Sequence, residues 1–317
     1  MARTTARLEQ VLDSRIAPGL ILFSLGMAGC LLVALVHGVP TPRNHDQFSY
    51  LLAADTFASG RLSNPTHPFW HFFETFHVIF EPTYVSKYPP AQGLVLAFGL
   101  RLFDLPILGV WICAGLLPAV TFWMAKAWIP GRWAVLAGGM VLMQFGLGSY
   151  WAQSYWGGSV AAIGGGLVFG AVGRLIEAPN VTNGMALALG LGVLANSRPF
   201  EGLIAAFIAM AFLTLQLLRA HSLGRFSRSA MPAFLALLVL LGGATQHYNR
   251  STTGDPTTMP YQVHERTYSQ SSLVPGTSLE APDYRHEIIR DWHETERASR
   301  ERTHTLTGFL QLGTLKT

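Results

Sequence analysis

Asp46 stands in the stretch Arg43-Asn44-His45-Asp46-Gln47, directly after a long apolar run. An acid held at a helix end on a membrane surface is partly desolvated, which raises its basicity. Asp46 therefore reads as a general base or a cation ligand, or alternatively as the N-cap of a helix Gln47–Ser59, since Asp is a preferred cap. Ser59-Gly60-Arg61 ends that helix, with Gly60 as the left-handed terminator. Next comes His67-Pro68-Phe69-Trp70-His71-Phe72-Phe73-Glu74-Thr75-Phe76-His77, with Glu81 beyond it. His67 and His71 at i, i+4, with Glu74, could ligate a divalent metal on one helix face. The competing reading is an interfacial amphipathic helix whose aromatics dip into lipid. Lys87 precedes Tyr88-Pro89-Pro90 and an apolar segment, and Arg198 lies between two short apolar runs with Glu201 three residues on. Either cation suits a lipid-borne phosphate. Snorkelling to headgroups is the alternative for Lys87, and a solvated loop for Arg198.

These residues need a scaffold, and the composition names its solvent. The chain has 317 residues, of which 50% are hydrophobic and 13% charged. A soluble domain carries about 25% charged residues. Residues 247–317 hold 17 of the 40 charges, so most of the chain is written for lipid and its last part for water. The net charge of +4 comes without a basic, aromatic-interleaved patch, which excludes nucleic acid as the expected partner. Cys30 and Cys113 lie in apolar runs and read as buried thiols.

The apolar run Gly19–Val36 continues past Cys30, too long for a signal-peptide core, and reads as an uncleaved first transmembrane helix. Further runs lie at about 91–103, 107–127, 133–149, 157–176, 184–196, 200–218 and 230–246. Gly166 and Gly170 form a small-xxx-small pair for close helix packing. If 91–103 does not cross, then Arg3, Arg7, Arg15, Lys126, Arg132, Arg174, Arg219, Arg225 and Arg228 fall on one side, the cytoplasmic one. The loops 40–90, 149–158 and 195–202 fall on the other side with the tail, and loops converging on a scaffold are where sites are built. The expected architecture is an all-α integral membrane bundle with about seven crossings plus one re-entrant or peripheral helix. Residues 1–15 would form a cytoplasmic N-terminus, 16–246 the transmembrane domain, and 247–317 a polar non-cytoplasmic tail. Within that tail, 283–302 reads as a charged helix with a solvated face.

The pattern resembles membrane glycosyltransferases of the GT-C superfamily, in particular the protein mannosyltransferase and aminoarabinose transferase relatives. Asp46-Gln47-Phe48-Ser49-Tyr50-Leu51-Leu52-Ala53-Ala54 resembles their acidic motif after the first helix. Lys87-Tyr88-Pro89-Pro90-Ala91-Gln92-Gly93 resembles their Lys-Pro-Pro motif. The likeness spans roughly residues 16–246, with His45-Asp46 in place of an acidic pair and Tyr88 between Lys87 and the prolines. The chain reads as a short or truncated member. The resemblance implies a polyprenyl-phosphate sugar donor, an envelope or periplasmic acceptor hydroxyl, and a location in the bacterial inner membrane with its active face outside. It implies Asp46 as general base, and Lys87, Arg198 and Arg61 as the donor-phosphate ligands. Glu74, Glu81, Tyr155 and Glu201 would orient the sugar or acceptor, with no cofactor beyond the divalent metal weighed above. Two other classes fit the composition: a transporter or flippase for a lipid-linked or small polar substrate, and a non-catalytic assembly subunit.

Overall fold

The computed structural model of the protein describes residues 14, 16–145, 148–270 and 282–303. These form an all-α membrane protein whose only strands are two short ones in a hairpin. The helices are α1 (Ala17–His37), α2 (His45–Ala58), α3 (Pro90–Phe103), α4 (Ile107–Ala125), α5 (Gly131–Phe145), α6 (Gly158–Glu177), α7 (Val181–Ala195), α8 (Pro199–Arg219), α9 (Leu223–Ser229), α10 (Met231–Thr253), α11 (Pro260–Tyr268) and α12 (Glu287–Thr303). Five of them, α1, α4, α6, α8 and α10, are long and apolar enough to cross a bilayer. At 1.5 Å per residue, the 21 residues of α1 reach about 31 Å, the thickness of a hydrocarbon core. The outward faces are those of lipid-exposed helices, with Leu35 and Phe207 each 75% exposed.

Glycines set how closely the helices approach. A Cβ on Gly26 would lie 2.8 Å from Gly115 Cα, so α1 and α4 touch backbone to backbone, running antiparallel. Gly166 and Gly170 face Val120 and Trp123, as the small-residue spacing in α6 predicts. A Cβ on Gly109 would collide with the Val95 carbonyl oxygen, so α3 lies directly against the first half of α4. Accordingly Leu96 and Ala97 of α3 share a core with Cys30, Tyr50, Val110, Trp111 and Tyr155, at the end of the bundle where α1 finishes. A second core, around Val168, Val172, Leu187, Leu213 and Leu217, joins α6, α7 and α8.

Four elements differ from the sequence expectation. The helix after the first span begins at His45, and its N-cap is Asn44, whose side chain accepts from the Gln47 N–H at 3.3 Å. Asp46 is therefore not the cap. The 67–77 stretch is not an amphipathic helix: it contains one 3-10 turn, Trp70–Phe72. His67-Pro68 opens it, and the His67 ring accepts from the Phe69 N–H at 3.1 Å instead of facing His71. The apolar run ending at 246 continues as α10 to Thr253, because nothing breaks it before Gly254 at φ 82°. Last, α12 is not merely a solvated helix. Ile289 and His293 are buried, and the Trp292 ring packs against Phe76 and His77.

Candidate functional site

The site forms where the start of α2 meets the lead-in to α3. Strands β1 (Val78–Ile79) and β2 (Val85–Ser86) pair antiparallel and bring His77 beside Lys87, whose N–H donates to the His77 carbonyl at 3.0 Å. Ser49 of α2 fastens this hairpin down. Its hydroxyl donates to the His77 carbonyl at 2.6 Å and shares a hydrogen bond with the Ser86 hydroxyl at 2.7 Å. Pro89-Pro90 then starts α3, with a proline at the first helical turn where the missing N–H costs nothing.

With Asn44 taking the cap, the Asp46 carboxylate points into this corner. The Tyr88 hydroxyl donates to Asp46 Oδ1, and His77 Nε2 stands 3.6 Å from the same oxygen. Asp46 also sits in the first turn of α2, where the helix dipole favours a negative charge. Tyr88 stacks on Tyr50 with ring centroids 4.4 Å apart. Burial first, then the Asp46 charge, raise the Tyr88 hydroxyl far above the ordinary tyrosine range, so it remains a hydrogen-bond donor. Tyr50 is raised by burial as well, with Arg198 opposing.

Lys87 is buried, and its Nζ lies 5.5 Å from the Tyr88 ring centroid and 5.3 Å from that of Tyr261. Both distances are within cation–π reach. It lines a cleft closed by Pro90 of α3, Asn196, Tyr248 and Asn249 of α10, and Tyr261 of α11. Burial and the Lys87 charge push the His77 imidazole down to about 4, against the opposing pull of Asp46. His264 is lowered well below its ordinary value by burial, then by Lys87, His77 and His293. Both rings are neutral at pH 7, and among the described residues the Nδ1 atoms of His77 and His264 have no hydrogen-bond partner.

The sequence candidates separate into three groups. Asp46 and Lys87 come together through Tyr88 and His77. Arg198 is adjacent: the Asn196 carbonyl accepts from the Ala91 N–H at 2.9 Å, which ties its loop to the start of α3. Arg198 itself is half-exposed, 3.8 Å from the exposed Glu201. The others serve elsewhere. Glu74 is buried and accepts from Tyr268 at 2.8 Å and Arg285 at 3.1 Å, so it anchors the tail rather than orienting Asp46. Glu81 is exposed, at the turn between β1 and β2. Arg61 is exposed at the opposite end of α2, about 22 Å from Asp46 by helix rise. Tyr155 is a buried brace: its hydroxyl donates to the Pro40 carbonyl at 2.9 Å, and its backbone is held by Gln47 and Gln92. Among the described residues no group of three His, Cys, Asp or Glu side chains is placed to hold a metal ion. The loss of the 67–77 helix removes the geometry that suggested one.

Sequence reading missed Tyr88, His77, Tyr261 and His264. Tyr88 stood in the motif as an interruption, and its place beside Lys87 was the available signal. No family model matches the chain, and no curated protein or solved structure matches it.

Proposed function

We propose that this chain is a GT-C-like glycosyltransferase that moves a sugar from a polyprenyl-phosphate donor to an acceptor hydroxyl at the non-cytoplasmic face of a bacterial inner membrane. The observation that carries the reading is the convergence of Asp46 and Lys87, 41 residues apart in sequence, on one corner bridged by Tyr88. That corner unites a carboxylate that can take a proton with an ammonium that can hold a phosphate. It lies at the end of a membrane bundle, where a lipid-borne donor enters sideways.

In this mechanism Asp46 removes the acceptor proton as the hydroxyl oxygen bonds to the anomeric carbon. The bond from that carbon to the phosphate oxygen breaks, the lipid phosphate leaves with the electron pair, and the anomeric configuration inverts. Lys87 stabilises the departing phosphate, with Arg198 at the rim. Tyr88 fixes the rotamer of Asp46 through Oδ1. The neutral His77 beside it adds no competing positive charge. No step is routed through a metal.

The membrane topology belongs to the same reading. Helices α5 and α7, at 15 residues each, complete seven crossings with the five long helices, and α3 stays at the Asp46 end. An odd number of crossings brings the tail to the Asp46 end, where α11 and α12 pack. Lys126, Arg132, Arg174, Arg219, Arg225 and Arg228 collect at the other end, in accord with a cytoplasmic assignment.

The test is label transfer in proteoliposomes supplied with radiolabelled polyprenyl-phosphate sugars and a cell-envelope extract. Wild type is expected to transfer label, and Asp46→Asn and Lys87→Ala to lose it. An unimpaired Asp46→Asn, or a folded wild type inactive with every donor tested, overturns the reading.

A further inference from the structure

The cleft beside Lys87 is nearly closed. It measures about 10 Å³, between the start of α3, the end of α7, the last turns of α10 and the start of α11. A single water needs about 10–15 Å³, so a phosphate, several times larger, does not fit while the walls stay where they are. Lys87 can hold a phosphate only if one wall moves.

Three of the four walls are fixed. On the α3 side, the Ala91 N–H donates to the Asn196 carbonyl at 2.9 Å, directly after the rigid Pro89-Pro90 pair. Between α7 and α10, the Asn196 amide donates to the Thr245 hydroxyl at 2.9 Å. Tyr248 of α10 is buried against Phe57 of α2. The fourth wall is the Tyr261 ring, which is half-buried and has Lys87 Nζ 5.3 Å from its centroid. Its backbone is held on both sides. Before it, the Asn249 amide donates to the Pro256 carbonyl at 3.2 Å, and the Met259 N–H donates to Gln262 Oε1 at 2.9 Å. Beyond it, Tyr268 donates to Glu74 at 2.8 Å. Movement at this wall therefore falls to the side chain, by rotation about its own bonds. Tyr88, the other ring beside Lys87, is stacked on Tyr50 and donates to Asp46, so it stays in place.

We propose that Tyr261 is a side-chain gate over Lys87. In the closed arrangement its ring covers the buried ammonium through a cation–π contact and fills the space that a phosphate needs. When an isoprenyl phosphate arrives, the ring swings toward solvent and the anion takes its place, since a charge-assisted contact is stronger than a ring face. This role rests on the reading of Lys87 as the phosphate ligand. It makes the ring a competitor of the donor, so removing the ring should tighten binding, whereas a residue that touches the donor or only braces the fold would weaken it when removed. The closed ring reduces the apparent affinity by the fraction of molecules that are open.

The test is calorimetric titration of the full chain in a neutral maltoside detergent with farnesyl phosphate. Wild type is expected to bind saturably, and Lys87→Ala to lose binding. Tyr261→Phe keeps the ring and should stay within about twofold of wild type. Tyr261→Ala should bind about threefold to tenfold more tightly, the scale of one cation–π contact. Tyr261→Ser, a substitution suited to the first turn of a helix, should shift binding in the same direction and guards against a folding fault in one variant. If Lys87→Ala loses binding while both ring-removing variants bind equally or more weakly than wild type, the gate is overturned and the phosphate reading stands. If Lys87→Ala binds like wild type, or wild type does not bind, the phosphate reading falls and the gate falls with it.

Discussion

The two ends of the bundle are built on different plans. At the Lys126–Arg174 end the helices are joined by short connections, 126–130 and 178–180, and by the small helix α9. There Lys126 donates to the Ser14 carbonyl and Arg174 to the Gly170 and Trp123 carbonyls. At the Asp46 end the connections 59–89 and 254–286 are long. Their described parts place the β1–β2 hairpin, α11 and α12 beside the first turn of α2. Short connections can only close a bundle, whereas long ones bring residues from distant parts of the chain into one corner. Asp46, His77, Lys87, His264 and Trp292 meet at the second end and, among the described residues, have no counterpart at the first.

The sharpest way to break this contrast is Asp46→Asn. Asparagine keeps the shape and still accepts the Tyr88 hydrogen bond, so the corner should stay folded while losing its base. Transfer is expected to fall by about 10²–10⁴-fold, the usual worth of a positioned general base, with unchanged gel-filtration and circular dichroism profiles. A variant that transfers at the wild-type rate would place the chemistry elsewhere.

Acid should separate the two ends next. His77 faces Asp46, Lys87, His45 and Glu296, and its rings of contact include Phe76, Tyr88 and Trp292. His264 faces Lys87, His77 and His293. Both imidazoles have folded-state values below the unfolded value of about 6.5. The unfolded chain therefore binds more protons as pH falls, and stability drops. For His77 the contribution is complete above pH 6.5 and is lost progressively down to its folded value of about 4. At about 1.4 kcal/mol per unit this amounts to about 3 kcal/mol at most. Hydrogen exchange at pH 7 and pH 4.5 should show α11, α12 and the hairpin opening before α4 and α6. Uniform opening of both ends would remove the role given to the buried histidines.

A smaller, local break comes from Glu74→Ala. The Glu74 side chain is 3% exposed and accepts from Tyr268 and Arg285, so the substitution leaves both donors without their acceptor. The loss is expected near 2 kcal/mol for docking of the tail. Trypsin should then cut at Arg290 and Arg297 faster than in wild type, while the transmembrane core stays resistant.

How much of this was legible in sequence follows from what each signal depends on. The spans were visible because lipid demands long apolar runs, and the observed helices match the expected runs to within a few residues at most ends. The Gly166–Gly170 contact was visible because small-residue spacing is local. The cap was read as Asp46, and the sequence did not show that Asn44 takes it, since both residue types are good caps. The roles of Glu74 and Tyr155 were out of reach for another reason. Their partners, Tyr268 and Pro40, lie 194 and 115 residues away. A carboxylate between aromatics looks the same in sequence whether it binds a sugar or a tail.

The least change is expected at Arg61, and the reason refines the contrast within the Asp46 end itself. Arg61 and Lys87 are both cations near a motif, and both qualify as phosphate ligands by residue type. Position distinguishes them: Lys87 is 8% exposed and sits between two tyrosine rings in the corner. Arg61 is exposed beyond the C-terminal turn of α2, with its N–H donating to the Thr56 carbonyl at 3.0 Å in the helix-ending turn that Gly60 makes. The backbone, not the guanidinium, does the structural work there. Arg61→Ala should therefore change transfer by less than about twofold, since an exposed surface charge contributes little. Lys87→Ala, by contrast, removes the buried charge proposed to hold the donor phosphate and should cost about a hundredfold. Measured side by side in proteoliposomes, equal losses in the two variants would mean that the donor phosphate lies along the whole length of α2 rather than in the corner at its start.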